Sequence, residues 1–377
     1  MRSNRWLAAG VALALALGAA ACGSSDDNSS TSTSSGASSS SGSSTAAKVS
    51  GTITGAGSTL AAPIYQQWGS NLKEQGITLN FQPVGSGAGV TAWEQGTADF
   101  AGSDPALADD EIAAASKKGG DPVHIPTVFG GITVSYNLSG VKAGLKLDGK
   151  TVADIYLKKV TKWNDPEITG QNSGMSLPDK PITVVHRSDS SGTTKGFTQF
   201  LADYSPEWKS GPGVDKTIKW PTGTGAKGNN GVAAAVKQTD GAIGYVEQAY
   251  ALQNNFTFAA IKNKAGNYVA PTLESTSAAG DGLDLPADLR FTAIDAPGGQ
   301  AYPIVSQTFI IVHSDLCAGG MDANKAKVFK AFIDYGLSAD GQNAAKQLSY
   351  APLPSALLDK AKAQVTKLKC NGSALGA

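Results

Sequence analysis

The chain has 377 residues, 45 of them Gly, which is enough for two domains of ordinary size. Lys plus Arg equals Asp plus Glu, 31 each, and this neutral balance argues against a nucleic-acid partner, which needs a basic face. It leaves room for a small anion, which a few local dipoles can hold.

Residues 1–21 read as an export signal rather than as part of the fold. Arg2 and Arg5 form a basic start, Leu7 to Leu17 a short apolar run, and Gly18 to Ala21 a small-residue end. Cys22 follows directly. Small residues ending in Cys resemble the lipobox of bacterial lipoproteins, with Ala19 where that box usually has Leu. The resemblance implies acylation of Cys22; cleavage near Ala21 with a free Cys22 is the alternative. Residues 22–48 carry mostly Ser, Thr, Gly and Ala with no large apolar side chain, the composition of a flexible tether.

From Val49 onward, apolar runs alternate with helical patterns, as in a layered α/β fold. Gly51 to Gly57 is a predicted strand, and Leu60, Ile64, Trp68 and Leu72 recur every fourth residue on the helix that follows. Ser58 and Thr59 lie at that helix start. Ile77 to Val84 alternates as a strand does, then Gly85-Ser86-Gly87-Ala88-Gly89 leads into Val90 and Trp93 on a short helix, with Ser86 at the cap position. The glycines at 85–89 do not have the G-x-G-x-x-G spacing of a dinucleotide fingerprint. Ala98 to Asp104 reads as a short strand ending at Asp104, and Asp109, Asp110 and Glu111 open a polar helix.

Ile125 to Val134 reads as a long strand with Pro126 near its start, and Asp154 to Val160 and Trp163 to Ile168 as two short helices. The apolar run Ile182 to Val185 then meets Arg187-Ser188-Asp189-Ser190-Ser191-Gly192-Thr193, followed by Phe197, Phe200, Leu201 and Tyr204 at helical spacing. A helix N-terminus after a strand offers unpaired N–H groups to an anion. Arg187 adds a forked cation, and Asp189 is placed to hold it. Taken alone, the same residues also read as a Ser/Thr cap beside a surface ion pair.

Gly223 to Gly231 reads as a Gly-rich loop, Val232 to Val236 as a short helical segment, and Gly241 to Val246 as a strand. Ala301 to Val312 is a second long strand, with Pro303 near its start. Helices are expected from Asp322 and over Ser355 to Leu368. Cys317 and Cys370 form an even pair, which in an exported protein reads as a disulfide. A metal site lacks ligand spacing, because His124, His186 and His313 are scattered.

Three hydroxyl-bearing turns, Ser58-Thr59, Ser86 and Ser191-Gly192-Thr193, thus precede helices, and Asp104 and Arg187 complete the set. Ligands of α/β sheets bind at the carboxyl ends of strands, so these parts describe a cup for a small oxyanion. Five motifs then resemble the phosphate-binding proteins of high-affinity ABC phosphate transporters, the PstS family. They are Gly55-Ala56-Gly57-Ser58-Thr59-Leu60, Gly85-Ser86-Gly87, Ala98 through Asp104, Arg187 through Thr193, and Gly241-Ala242-Ile243-Gly244-Tyr245-Val246. The resemblance runs from about Gly51 to about Leu368. It implies an α/β, two-domain periplasmic-binding-protein-like fold with a hinge and an interdomain cleft. Residues 49–127 and 301–377 would form the first domain and 128–300 the second, with crossings near Val128 and Ala301.

The resemblance also implies the ligand shell. Thr59 and Leu60 would donate backbone N–H groups, supported by the Thr59 hydroxyl, and Ser86 its hydroxyl and N–H. Asp104 would accept a proton from phosphate. Arg187 would pair with the anion, oriented by Asp189, and Ser191, Gly192 and Thr193 would close the shell. Ser58, where the family commonly has Ala, is a further possible donor. Leu60 stands where Phe is familiar and Ser190 where Gly is. The expected partners are inorganic phosphate, the permease and ATPase subunits of an ABC transporter, and the outer face of the cell membrane through the lipid anchor. A monomer without cofactor, metal or catalytic residues is expected. Other tetrahedral oxyanions, sulfate and molybdate, are the alternative ligands, but an ionised Asp104 repels fully deprotonated anions. A secreted hydrolase with Ser191 as nucleophile lacks a G-x-S-x-G elbow, and His186 sits on a strand position facing away from its neighbour.

Overall fold

The computed structural model describes residues 49–141 and 143–375. The expected signal (1–21), Cys22 and the tether to residue 48 lie outside the described residues. Strand β1 (Gly51–Gly57) passes through helix α1 (Ala62–Leu72) to β2 (Ile77–Gln82), which pairs parallel to it. Ile64, Trp68 and Leu72 bury one face of α1, and Trp68 Nε1–H donates to the Gly341 carbonyl at 2.9 Å. Leu60 is buried in the turn before the helix rather than on it. Helix α2 (Ser86–Glu94) leads to β3 (Phe100–Ser103), also parallel to β1, and α3 (Asp109–Gly119) carries its three acids in the first turn.

The long strand β4 (Pro122–Asn137) begins earlier than the sequence indicates, so Pro126 lies inside it rather than near its start. Proline cannot donate to a ladder, and the strand accommodates it with a bulge. Val128 pairs with Thr308 and Pro126 with Phe309, which leaves Thr127 without a counterpart.

After β5 (Lys146–Leu147) come α4 (Gly149–Tyr156) and α5 (Pro166–Thr169). The first expected helix is shifted toward the N-terminus, because Asp148 caps it by accepting the Thr151 N–H and Lys158 turns left-handed at φ 63°. The second is shortened, since Asp165 and Pro166 start it. Next are β6 (Thr183–Arg187), α6 (Gly192–Tyr204), α7 (Pro206–Ser210), β7 (Thr224–Ala226), α8 (Gly228–Gln238), β8 (Ala242–Glu247) and α9 (Gln248–Gln253). The segment Gly223 to Gly231 is therefore not a loop. Its first part pairs parallel with β6 as β7, and its second part is the opening turn of α8.

Strand β9 (Thr257–Phe258) adds to β4, while β10 (Ala260–Lys262) and β11 (Tyr268–Val269) join β5 in a small sheet. Helix α10 (Leu273–Ala278) precedes β12 (Val305–His313), which starts after Pro303. Helices α11 (Ala323–Gly336), α12 (Ala339–Gln347) and α13 (Ser355–Val365) and the hairpin β13 (Lys369–Cys370) and β14 (Ser373–Ala374) complete the chain. Cys317 and Cys370 are bonded, tying that hairpin to the segment after β12.

The main sheet runs β2-β1-β3-β12-β4-β8-β6-β7. Strand β4 belongs to both ends of it: residues 122–131 pair antiparallel with β12, and residues 132–137 with β8. On one side Trp68, Phe100, Phe329 and Phe332 pack ring against ring; on the other Tyr156, Phe197, Trp220 and Tyr245 do. These two aromatic clusters hold two sets of parallel strands, β1-β2-β3 and β6-β7-β8, with their carboxyl ends toward one another.

Candidate functional site

Each parallel strand delivers one functional segment at its carboxyl end. Ser58 to Leu60 follow β1, Gly85 and Ser86 follow β2, and Asp104 follows β3. Ser188 to Thr193 follow β6, Asn229 follows β7, and Glu247 ends β8. The predicted residues meet in one buried cleft. Asp104 is 1 % exposed and Arg187 2 %, while Ser58, Ser86, Ser191 and Thr193 are buried outright.

Asp104 is surrounded by hydroxyls. Ser58 Oγ–H donates a short hydrogen bond to Oδ1, and Ser86 Oγ–H lies 3.4 Å from Oδ2. Ser86 itself accepts the backbone N–H groups of Asp104 (3.3 Å) and Gly192 (3.2 Å). It does not cap α2, as its sequence position indicated. It is the first residue of the helix, and the cap position is Gly85, whose φ of 94° suits glycine. That backbone shape brings the turn against Ser190 and Asp189. Gly192 is a second close approach: a Cβ there would stand 2.5 Å from both Asp104 Oδ2 and Ser86 Oγ.

Arg187 is held as expected. Its Nε donates to Asp189 Oδ1 at 2.7 Å, Nη2 donates to Oδ2, and Nη1 reaches Thr193 Oγ1 at 3.4 Å. Asp189 also accepts the Gly228 N–H at 3.0 Å. Ser191 caps α6 by accepting the Thr194 N–H, and its own N–H donates to the Lys216 carbonyl, so its hydroxyl proton is what it has left to offer. Among the described residues no acceptor takes the backbone N–H of Thr59 or Leu60, although both lie in the buried turn.

Burial raises the Asp104 pKa to about 6, against the hydrogen bond from Ser58 and the charge of Arg187. Burial also works against an ionised Asp189, but the hydrogen bonds and charge of Arg187 outweigh it and hold this carboxyl below its usual range.

Several site residues carried no signal in the sequence reading. Asn229 is fully buried; its Nδ2 donates to Thr59 Oγ1 at 2.9 Å and to Thr193 Oγ1 at 3.3 Å. Tyr250 Oη–H donates to the Thr59 carbonyl and Tyr350 Oη–H to the Leu60 carbonyl, at 2.8 and 2.6 Å, fixing that turn from outside. Glu247 is fully buried behind it, with a pKa pushed up to about 8 chiefly by burial. Its Oε2 accepts the Ala249 N–H at 2.8 Å, and Oε1 has no partner among the described residues. Asn229 was hidden because Gly228-Asn229-Asn230-Gly231 reads as loop; the apolar spacing of Val232, Ala233 and Val236 behind it is the signal that a helix starts there.

The hydrolase arrangement does not assemble. His186 stacks on Trp220 at 4.6 Å between centroids, and its Nδ1 pairs with the Arg187 carbonyl rather than with Ser191. His124 accepts the Leu107 N–H. A cavity of about 280 Å³ opens beside Asp104 and Gly192, with Lys195, Gln199 and Gln307 on its walls.

This architecture is that of the two-domain periplasmic binding proteins, with the candidate residues gathered where the two sets of strand ends meet. A PBP superfamily domain matches residues 42–340. The chain belongs to the phosphate-binding protein PstS family. It is 41 % identical to the phosphate-binding protein PstS of Pasteurella multocida over 319 residues, covering 83 % of this chain and 89 % of the relative. To the protein of that name from Haemophilus influenzae it is 40 % identical over 325 residues, covering 84 % and 94 %. A high-affinity periplasmic phosphate-binding protein solved with phosphate superposes with a TM-score of 0.70 at 25 % identity, covering 86 % of this chain and all of the other.

Proposed function

We propose that the protein is an exported substrate-binding protein that captures inorganic phosphate in this cleft and passes it to the permease and ATPase subunits of an ABC transporter. Cys22 carries the lipid that anchors it to the outer face of the cell membrane. The ligand shell is Ser58, Thr59, Leu60, Ser86, Asp104, Arg187, Ser191, Gly192 and Thr193, with Asp189 orienting Arg187. The observation that carries this reading is a carboxylate, Asp104, that is set among N–H and O–H donors and not committed to Arg187. Phosphate near neutral pH keeps at least one proton to donate to Asp104, whereas sulfate presents only acceptors. Hydroxyl and amide donors meet the remaining phosphate oxygens, and Arg187 balances the charge.

Residues 49–127 with 301–377 act as one lobe and 128–300 as the other, closing on the anion about β4 and the segment before β12. Calorimetric titration of ligand-stripped protein with phosphate, sulfate and molybdate tests the reading. Phosphate alone should bind tightly, and equal binding of sulfate overturns the assignment. Small-angle scattering should show contraction when phosphate is added.

A further inference from the structure

We infer that Asn229 is a positioning residue that sets the direction of two hydroxyl protons, those of Thr59 and Thr193, so that both point at the anion in the closed cleft. The inference rests on the phosphate-binding reading above. The orientation of the Asn229 amide is fixed by chemistry. The backbone N–H of Glu247 can only donate, and it lies 3.0 Å from Asn229 Oδ1. The NH₂ group must therefore face the other way, toward Thr59 Oγ1 at 2.9 Å and Thr193 Oγ1 at 3.3 Å.

Each threonine oxygen then receives a second N–H. For Thr59 it is the backbone N–H of Asn229 at 3.2 Å; for Thr193 it is Arg187 Nη1 at 3.4 Å. A hydroxyl oxygen has two acceptor sites and one proton. With both acceptor sites filled by donors, only the proton is left, and it must point away from them. Among the described residues no acceptor takes either proton. A freely turning hydroxyl shows an anion its lone pairs as readily as its proton and has to be reoriented on binding. With the lobes closed these two are held proton-first, so the anion meets donors already aimed at it. One amide does this for two hydroxyls that come from different sets of strands, Thr59 after β1 and Thr193 after β6.

Asn229→Asp tests the assignment, because the carboxylate keeps the volume and one oxygen can still accept the Glu247 N–H. The other oxygen draws the threonine protons to itself and turns their lone pairs toward the ligand. In the parent, Thr59→Val should weaken phosphate binding by roughly tenfold or more, the worth of one hydrogen bond to a charged group. In the Asn229→Asp background the same Thr59→Val change should alter the affinity by no more than about twofold, the scatter of independent sites. Added negative charge or a loosened fold weakens binding overall but leaves the Thr59 factor intact. An equal Thr59 factor in both backgrounds, measured by calorimetry, therefore overturns the inference. Should Asn229→Asp not fold, Asn229→Leu paired with Thr193→Val makes the same comparison without a charge, and an undiminished Thr193 factor overturns it equally. A parent that takes up no phosphate at all refutes the functional reading itself, an outcome distinct from a parent that binds with uncoupled threonines.

Discussion

Asp104 and Asp189 stand in the same cleft and interact with the same arginine, yet they are tuned in opposite directions. Asp189 takes both ends of the Arg187 fork and the Gly228 N–H, and its carboxyl is held below the usual aspartate range. Asp104 has hydroxyls around it and feels Arg187 only through its charge, so burial dominates and its pKa rises to about 6. The difference separates two tasks. A carboxylate committed to a cation orients that cation, while one left with weak neutral partners can trade them for a proton carried by the ligand.

Removing the shared arginine should have the largest effect. Arg187→Met takes the cation from the anion, a loss of about 2–5 kcal/mol or roughly a thousandfold in affinity, and separately leaves Asp189 without its partner, which lowers stability by about 3–5 kcal/mol. Titration with phosphate should show that loss, and thermal melting should show a lower midpoint as well. Next comes Asp104→Asn, which replaces an acceptor by a group that can donate. It should admit sulfate by lifting a like-charge contact worth several kcal/mol, so that competition titration finds the phosphate-over-sulfate ratio reduced by about a hundredfold. Sulfate excluded as strongly as in the parent removes Asp104 from the discriminating role.

The same pair of substitutions should split in stability. Asp189 has a depressed pKa, so its contribution is present above the ordinary aspartate range and fades as pH falls; Asp189→Asn should lower the melting midpoint at pH 7 and much less at pH 3. For Asp104 the folded state holds the proton more tightly than the unfolded chain does. Its penalty grows as pH rises from about 4 to about 6, so Asp104→Asn should raise the ligand-free midpoint at pH 7 and leave it unchanged near pH 4. Glu247 extends the comparison to a carboxyl with one oxygen unpaired among the described residues. Its penalty grows as pH rises from about 4.5 to about 8 and is complete above that, so Glu247→Gln should raise the midpoint at pH 9 and change it little near pH 4.

The Arg187-Asp189 fork and the hydroxyl turns were legible in the sequence because each is local: strand, turn and helix start lie within about ten residues of one another. Asn229, Glu247, Tyr250 and Tyr350 were not legible, since their roles depend on which strand ends the sheet brings together. Glu247 looks like an ordinary polar strand end until β8 is seen buried against β4. The β4 bulge at Thr127 was equally invisible, because it answers a register set by β12, far along the chain. The glycines around β7 masked a short strand, and so hid the helix start that delivers Asn229.

The strand shared by both ends of the sheet also dictates an order of assembly. Residues 132–137 find their partner β8 once the chain has been made as far as Glu247. Residues 122–131 must wait for β12, which ends at His313, and Phe129 also bridges to Ala351. A chain emerging from its N-terminus can therefore close the middle of the molecule while β1, β2 and β3 still lack their antiparallel neighbour. The first-made strands are the last to be enclosed, and until then their apolar faces are the surfaces that a holdase would have to cover.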